Sequence, residues 1–357
     1  MSRQDTGTDD PRVRVRAGRG SRPRSKRRPD YSQAPVGRVV AIDRGRYAVA
    51  LPNGTTVTCI KARELGRGAV VMGDFVSLTG DMSGSEGSLA RIVEIQPRQH
   101  VLRRSLEEAA DARGEKIIVA NADQLVIVTA AADPQPRVGM VERCLVAAAE
   151  AQVRPLLCIT KADLADPTPF ISNFDQFNVD VIVTTAEYTQ DPGLGQLRAQ
   201  LTERFSVLVG HSGVGKSTLI NALIPDAERE VGVVNVLTGK GRHTSTSSAA
   251  LPLPEGGWVV DTPGVRSFGL SHASTEHVLQ VFPAAAAVTE LCLPNCSHLS
   301  SEPSCALDAW ASETGPFAAS PQPGPADDAV LSVPVARRAA LTQRLRALLP
   351  GVGNPAG

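Results

Sequence analysis

The run Gly210-His211-Ser212-Gly213-Val214-Gly215-Lys216-Ser217-Thr218 follows an apolar stretch, Ser206 to Val209, and precedes a helix-compatible one ending near Leu223. Glycines at this spacing let backbone N–H groups turn inward around phosphate oxygens at a helix N-terminus. Lys216 is then the cation that reaches the terminal phosphates, and Ser217 is a ligand for Mg²⁺. Downstream, Asp261-Thr262-Pro263-Gly264 ends another apolar run. Taken alone it has the composition of an ordinary turn. Beside a phosphate loop, Asp261 becomes a second Mg²⁺ ligand acting through water, and the Gly264 N–H can approach a γ-phosphate.

A purine-recognition box, Thr160-Lys161-Ala162-Asp163, lies upstream of that loop rather than downstream. Asp163 can accept from the N1 and exocyclic amine of guanine, a donor pair adenine lacks, and Lys161 can lie along the base. The usual first residue of such a box is Asn. Thr160 keeps only a hydroxyl, so its bridge to the phosphate loop is expected to be weaker. Thr185 and Ala186, following another apolar run, fit a loop whose backbone caps the guanine oxygen. Between the phosphate loop and Asp261, Thr238 to Thr246 reads as a mobile switch loop. There Thr246 can complete the Mg²⁺ shell, with Thr244 and His243 beside it as catalytic candidates. Val265 stands where many GTPases carry a Gln that orients water. Hydrolysis is therefore expected to be slow without help, and His243 is either the group that positions water or a solvated loop histidine.

The elements that would hold these loops are readable from periodicity. Gln124 to Thr129, Pro155 to Ile159, Val181 to Thr184, Ser206 to Val209 and Trp258 to Val260 read as buried strands. Val138 to Ala151 repeats apolar residues at helical spacing. Such alternation predicts a parallel sheet covered on both faces. Before it, short β-rich runs from Val36 to Gln96, with Asn53-Gly54 as a hairpin turn, predict a small barrel of OB-like or SH3-like type. Up to Ala34 the chain is rich in Arg, Ser, Gly and Pro, with too little to bury to offset its ordering entropy. That basic tail either meets a polyanion or simply solubilises the chain.

Beyond Ser271, Cys292-x₃-Cys296-x-His298-x₆-Cys305 offers three thiolates and one imidazole, the donor set of a closed structural zinc site. Soft sulfur ligands disfavour Mg²⁺ and Ca²⁺. A last amphipathic helix near Val335 to Leu349 carries Arg337, Arg338, Arg344 and Arg346, which either reach RNA or form a solvated basic face. The other cysteines, Cys59, Cys144 and Cys158, stand alone among apolar residues, unlike a disulfide framework. No apolar run of membrane-spanning length occurs, and no secretory signal opens the chain. The formal net charge is zero.

With its boxes in this order, after a barrel and before a Cys/His cluster, the chain resembles the circularly permuted small ribosomal subunit biogenesis GTPases, the RsgA family. Gly210 to Thr218 matches the family's phosphate loop, and His243-Thr244-Ser245-Thr246 its His-Thr-Thr-Thr switch. Spacing within the cysteine cluster departs by one residue in the first and third gaps. The resemblance implies a multidomain fold: an N-terminal OB-like β-barrel, a central circularly permuted α/β P-loop GTPase domain, and a C-terminal helical zinc-binding domain. On that pattern 1–34 is a disordered basic tail, 35–98 the RNA-binding barrel, 99–271 the GTPase domain, 272–349 the zinc-binding region and 350–357 a flexible end. It also implies GTP hydrolysis to GDP, stimulated by the 30S subunit late in its maturation, with 16S rRNA as partner. A monomer in the cytoplasm, away from membranes, is expected. The rival reading is an RNA-binding assembly module that keeps nucleotide as a structural ligand.

Overall fold

The computed structural model describes residues 30–43, 45–66, 68–105, 115–185, 187, 191–225, 249–261, 268, 270–302, 304–317 and 333–349. The chain divides after Gln33, and everything from Ala34 onward belongs to one compact unit. Five strands open that unit: β1 (Val36–Asp43), β2 (Arg46–Ala50), β3 (Thr56–Lys61), β4 (Phe75–Gly80) and β5 (Ala90–Ile95). They close into a barrel of order β1-β2-β3-β5-β4, in which β3 and β5 run parallel. Alternation along each strand sends Val39, Tyr47, Val49, Val57, Cys59, Val76, Leu78 and Ile92 inward. The predicted turn is present: Gly54 takes φ +84°, and Asn53 Oδ1 accepts from Thr55 N at 3.0 Å.

An antiparallel pair, β6 (Val101–Ser105) and β7 (Glu115–Ala120), follows, which periodicity does not reveal. Then comes a sheet of order β10-β9-β8-β11-β13-β12. Its strands are β8 (Gln124–Ala130), β9 (Arg154–Thr160), β10 (Asp180–Val183), β11 (Phe205–Val209), β12 (Ala250–Pro252) and β13 (Trp258–Asp261). All neighbours are parallel except β12, an antiparallel edge strand that periodicity does not reveal. The central strand β8 is buried along its whole length, as a parallel strand covered on both faces must be.

Because successive side chains point to opposite faces, each strand feeds two cores. Leu125, Ile127, Leu157, Ile159, Val207 and Val209 pack with helix α1 (Val138–Ala151) on one face. Val126, Val128, Leu156, Cys158 and Leu208 pack with α3 (Pro192–Leu201) and α4 (Lys216–Leu223) on the other. The short α2 (Thr168–Ile171) follows β9. The C-terminal helices α5 (Thr275–Val281), α6 (Pro283–Thr289), α7 (Ala306–Ala311) and α8 (Val335–Leu348) extend the α1 face through Val278, Phe282, Leu307, Trp310 and Leu345. A file of rings, Phe170, Phe174, Phe177 and Phe282, continues that core with centroid spacings of 5.2, 5.7 and 5.0 Å. No helix among the described residues is long and apolar enough to cross a membrane.

Charged groups fasten the barrel to the sheet and to its own closing loop. The Arg38 guanidinium lies 4.5 Å from the ring centroids of both Phe75 in the barrel and Phe205 in the sheet, and donates to Asn121 O at 3.2 Å. Burial draws its pKa down, and Asp123 opposes that shift. Asp74 has 0% exposure and accepts from Arg98 at 2.7 and 2.9 Å and from Val71 N at 2.8 Å. Removing one partner of such a pair strands a buried charge, which costs about 3 kcal/mol or more, whereas replacing both is close to neutral. Denaturant unfolding should therefore show Arg98→Ala destabilised by about 3 kcal/mol, with much of that loss recovered in Arg98→Met/Asp74→Leu.

Candidate nucleotide site and metal centre

The register of the sheet brings the chemistry-bearing loops to one edge. Leu208 of β11 pairs with Asp261 of β13 and with Val126 of β8, while Ala130 of β8 pairs with Thr160 of β9. The carboxyl ends of β8, β9, β10, β11 and β13 therefore all lie at one edge, where open α/β sheets take their ligands.

The phosphate loop begins at Gly210, where an added Cβ would sit 2.2 Å from Val128 O of β8. Only glycine fits that approach. Gly213 and Gly215 take φ +84° and +93°, and α4 starts at Lys216 directly after them. Ser212, Gly213, Ser217 and Thr218 are exposed, His211 and Gly215 are half-buried, and Val214 is buried in the core below. Lys216 Nζ donates to Gly210 O at 2.6 Å and His211 O at 2.9 Å. Burial lowers the Lys216 pKa, and the Asp261 carboxylate, within electrostatic reach, pulls it back up. The cation and the carboxylate assigned to phosphate and Mg²⁺ thus share one corner.

The base-side loops close the opposite side. Thr160 is fully buried, with Oγ1 2.5 Å from Val214 O and 3.3 Å from Thr129 O, and its single proton serves the nearer carbonyl. The bridge expected to be weakened by the loss of Asn is made, directly to the phosphate loop. Lys161 adopts φ +57° and donates through Nζ to Asp133 O, and Asp163 is exposed beside it. Ala162 N donates to Thr184 O at 3.1 Å, and Thr184 N to Ile159 O at 2.7 Å, which holds the loops after β9 and β10 together. Thr185 N donates to Asp191 Oδ2 at 2.9 Å, while the other oxygen of Asp191 caps α3 through Gly193 N. Sequence reasoning did not single out Asp133 or Asp191. The run Asp191-Pro192 does carry a helix-start signal that could have found the second. Ala186, His243, Thr244, Thr246, Gly264 and Val265 lie outside the described residues.

The sulfur and nitrogen ligand atoms of Cys292, Cys296, His298 and Cys305 all lie within 4.8 Å of one another. Cys292 Sγ is 3.7 Å from His298 Nδ1 and 4.0 Å from Cys305 Sγ, and Cys305 Sγ is 3.9 Å from His298 Nδ1. A tetrahedron built on metal–sulfur bonds of about 2.3 Å has edges of about 3.8 Å, so this cage fits a zinc-sized ion. Burial pushes the Cys292 thiol up to about 12, and the neighbouring sulfurs push the same way. A zinc ion held there would displace the thiol protons, because the thiolate is the form that ligates. Ala306 N, at 3.3 Å from Cys292 Sγ, is oriented to support a thiolate there.

The arginines of α8 serve the fold rather than a free basic face. Arg346 grips Asp308 at 2.6 and 2.9 Å and donates to His298 O at 2.9 Å, which steadies the cysteine cluster. Arg344 pairs with Glu142 of α1 at 2.6 Å, Arg338 lies over the ring of buried Trp310, and exposed Arg337 donates to Ser172 O.

A family model described as RsgA GTPase matches residues 95–271. The chain is 35% identical over 288 residues to the small ribosomal subunit biogenesis GTPase RsgA of Nitrosospira multiformis, covering 80% of this chain and 87% of that one. It is 38% identical over 242 residues to the protein of the same name from Ectopseudomonas mendocina, covering 64% and 68%. Among solved structures, YjeQ from Thermotoga maritima is similar in fold, with a TM-score of 0.60, 22% identity, and coverage of 89% of this chain and 99% of that one. YloQ, described as a circularly permuted GTPase, is also similar, with a TM-score of 0.56, 22% identity and coverage of 89% and 98%.

The Thr160 bridge can be tested by nucleotide titration. Thr160→Val leaves the buried Val214 carbonyl unpaired at a cost of about 1–2 kcal/mol, so GDP affinity should fall about tenfold, and Thr160→Ser should keep it.

Proposed function

The chain belongs to the RsgA GTPase family, and from that premise we propose that it is a Mg²⁺-dependent GTP hydrolase of small ribosomal subunit biogenesis. The observation that carries this reading is the convergence of Lys216, Asp261 and the Thr160 bridge on one sheet edge, in permuted chain order. Backbone amides of Gly210 to Thr218 hold the phosphates, with Lys216 neutralising charge that develops on them in the transition state. Asp163 reads guanine, Lys161 lies along the base, and Thr185 and Ala186 cap its oxygen. Bound Mg²⁺ would neutralise the β- and γ-phosphates, with Ser217, Thr246 and Asp261 as its protein ligands. Positioning of water falls to His243, with Thr244 beside it, because Val265 has no group to do so.

The partner is the 30S subunit and its 16S rRNA, and subunit binding accelerates a turnover that is slow alone. The barrel supports an RNA contact, since its order and the parallel pairing of β3 with β5 are those of an OB-like Greek-key barrel. The basic tail adds sequence-independent attraction to polyanions. The cluster at Cys292, Cys296, His298 and Cys305 holds one structural zinc, which stabilises a loop-rich region. The chain acts as a monomer in the cytoplasm, where it meets GTP and maturing subunits.

Turnover of GTP and of ATP should be measured with and without purified 30S subunits across a salt series. GTP should be hydrolysed slowly alone and faster with subunits by a factor on the order of ten or more, the gain shrinking as salt rises. Equal rates for both nucleotides under all conditions would exclude the proposal. Elemental analysis should find one zinc per chain. A chelator should lower the melting temperature, added zinc should restore it, and Cys296→Ser should abolish both responses.

A further inference from the structure

A groove of about 480 Å³ opens between the start of α1 and the end of α8, and among the described residues the nucleotide loops touch it only at His211. Arg137, Glu142, Arg143, Asn173, His211 and Arg344 supply its polar lining. A second hollow of about 120 Å³ shares Asn173 and Arg344 with it and carries the groove along α8 to Arg337. The carboxylates nearby are already matched: Glu142 pairs with Arg344 at 2.6 Å, and Asp175 lies 3.7 Å from Arg337. Among the described residues no carboxylate pairs with Arg137 or Arg143. The N-terminus of α1, with no side-chain cap and no acid in its first turn, adds positive potential at the same end.

This chemistry selects its occupant. Among the described residues no Phe, Tyr or Trp lines either hollow, and the His211 imidazole at one end is the single ring available, too little to stack successive bases. Guanidinium groups spaced along a groove match successive phosphates of a polyanion better than one compact anion. We infer that the groove receives the phosphodiester backbone of structured RNA, with Arg137 and Arg143 as its phosphate ligands. The inference rests on the reading of this chain as a partner of the ribosomal subunit. An RNA strand seated there lies against His211, a residue of the phosphate loop, so the same contact borders the nucleotide site.

The test uses the full chain, the double variant Arg137→Gln/Arg143→Gln, and Arg137→Lys/Arg143→Lys. Binding to 30S subunits with a non-hydrolysable GTP analogue is followed across a salt series, and subunit-free GTP affinity and turnover serve as the control for folding. The Gln variant should bind subunits about tenfold more weakly, with a log–log salt slope shallower by between about 1 and 2. The Lys variant should keep the parent slope, and subunit-free behaviour should be unchanged in both. A parent and Gln variant that bind with equal affinity and slope overturn the groove assignment and leave the proposed function standing. A parent that does not bind subunits overturns that function, and this inference with it. If inorganic pyrophosphate alters the subunit-free turnover of the parent but not of the Gln variant, the groove is a free-anion site and the RNA assignment falls.

Discussion

The carboxyl end of β8 is the support on which both sides of the nucleotide site rest. The phosphate loop leaves β11 so close to it that Val128 O occupies the space a Cβ on Gly210 would need. From the other neighbour, β9, the Thr160 hydroxyl reaches past Thr129 O to Val214 O. Two loops from strands that never touch are thereby set at a fixed separation. A nucleotide demands that constraint, because its base and phosphates are joined by a sugar of fixed length. The buried position of Thr160 gives the contact weight, since an unmet carbonyl in a dry core cannot turn to water.

Around that support, the remaining contacts tie distant elements to the same face of the sheet. Glu142 on α1 meets Arg344 on α8, and the file of phenylalanines runs from the segment after β9 to Phe282 between α5 and α6. The C-terminal helices therefore pack against the helix that follows β8, not against a separate surface. On the barrel side, Arg38 lies against rings from two elements, and Asn121 accepts a hydrogen bond from Arg38 through its backbone oxygen while its side-chain amide donates to Gly73 O at 3.1 Å. Circular permutation leaves this architecture intact because strand pairing depends on register, not on which loop joins the strands.

Much of the fold is legible in the chain. Barrel strands, the five parallel strands and α1 are visible because apolar residues repeat at period two or as short buried runs, and at period 3.6 in α1. The antiparallel pair β6–β7 and the edge strand β12 are not, since their residues are mixed and partners in the sheet rescue them. The site divides the same way. The glycines, Lys216 and the cysteine cluster announce themselves by type and spacing, whereas Asp133 acts through a backbone carbonyl that meets a lysine far along the chain, and Asp191 joins its local helix cap to the Thr185 amide, a link that only the fold sets.

Residue type and spacing fix the kinds of chemistry on offer: a candidate phosphate loop, a candidate guanine-type box, and a thiolate–imidazole donor set. Each is a short segment whose backbone freedom and donor atoms are local properties. How those segments meet is set by strand order and helix packing. Thr160 looks like the weakened member of its box until the sheet brings Val214 within 2.5 Å of it. The arginines of α8 look like a free basic face until packing brings Glu142 and Asp308 to them. Partners far apart in the chain leave no local trace, because which groups are buried together depends on strand order and helix packing, and burial sets what each contact is worth.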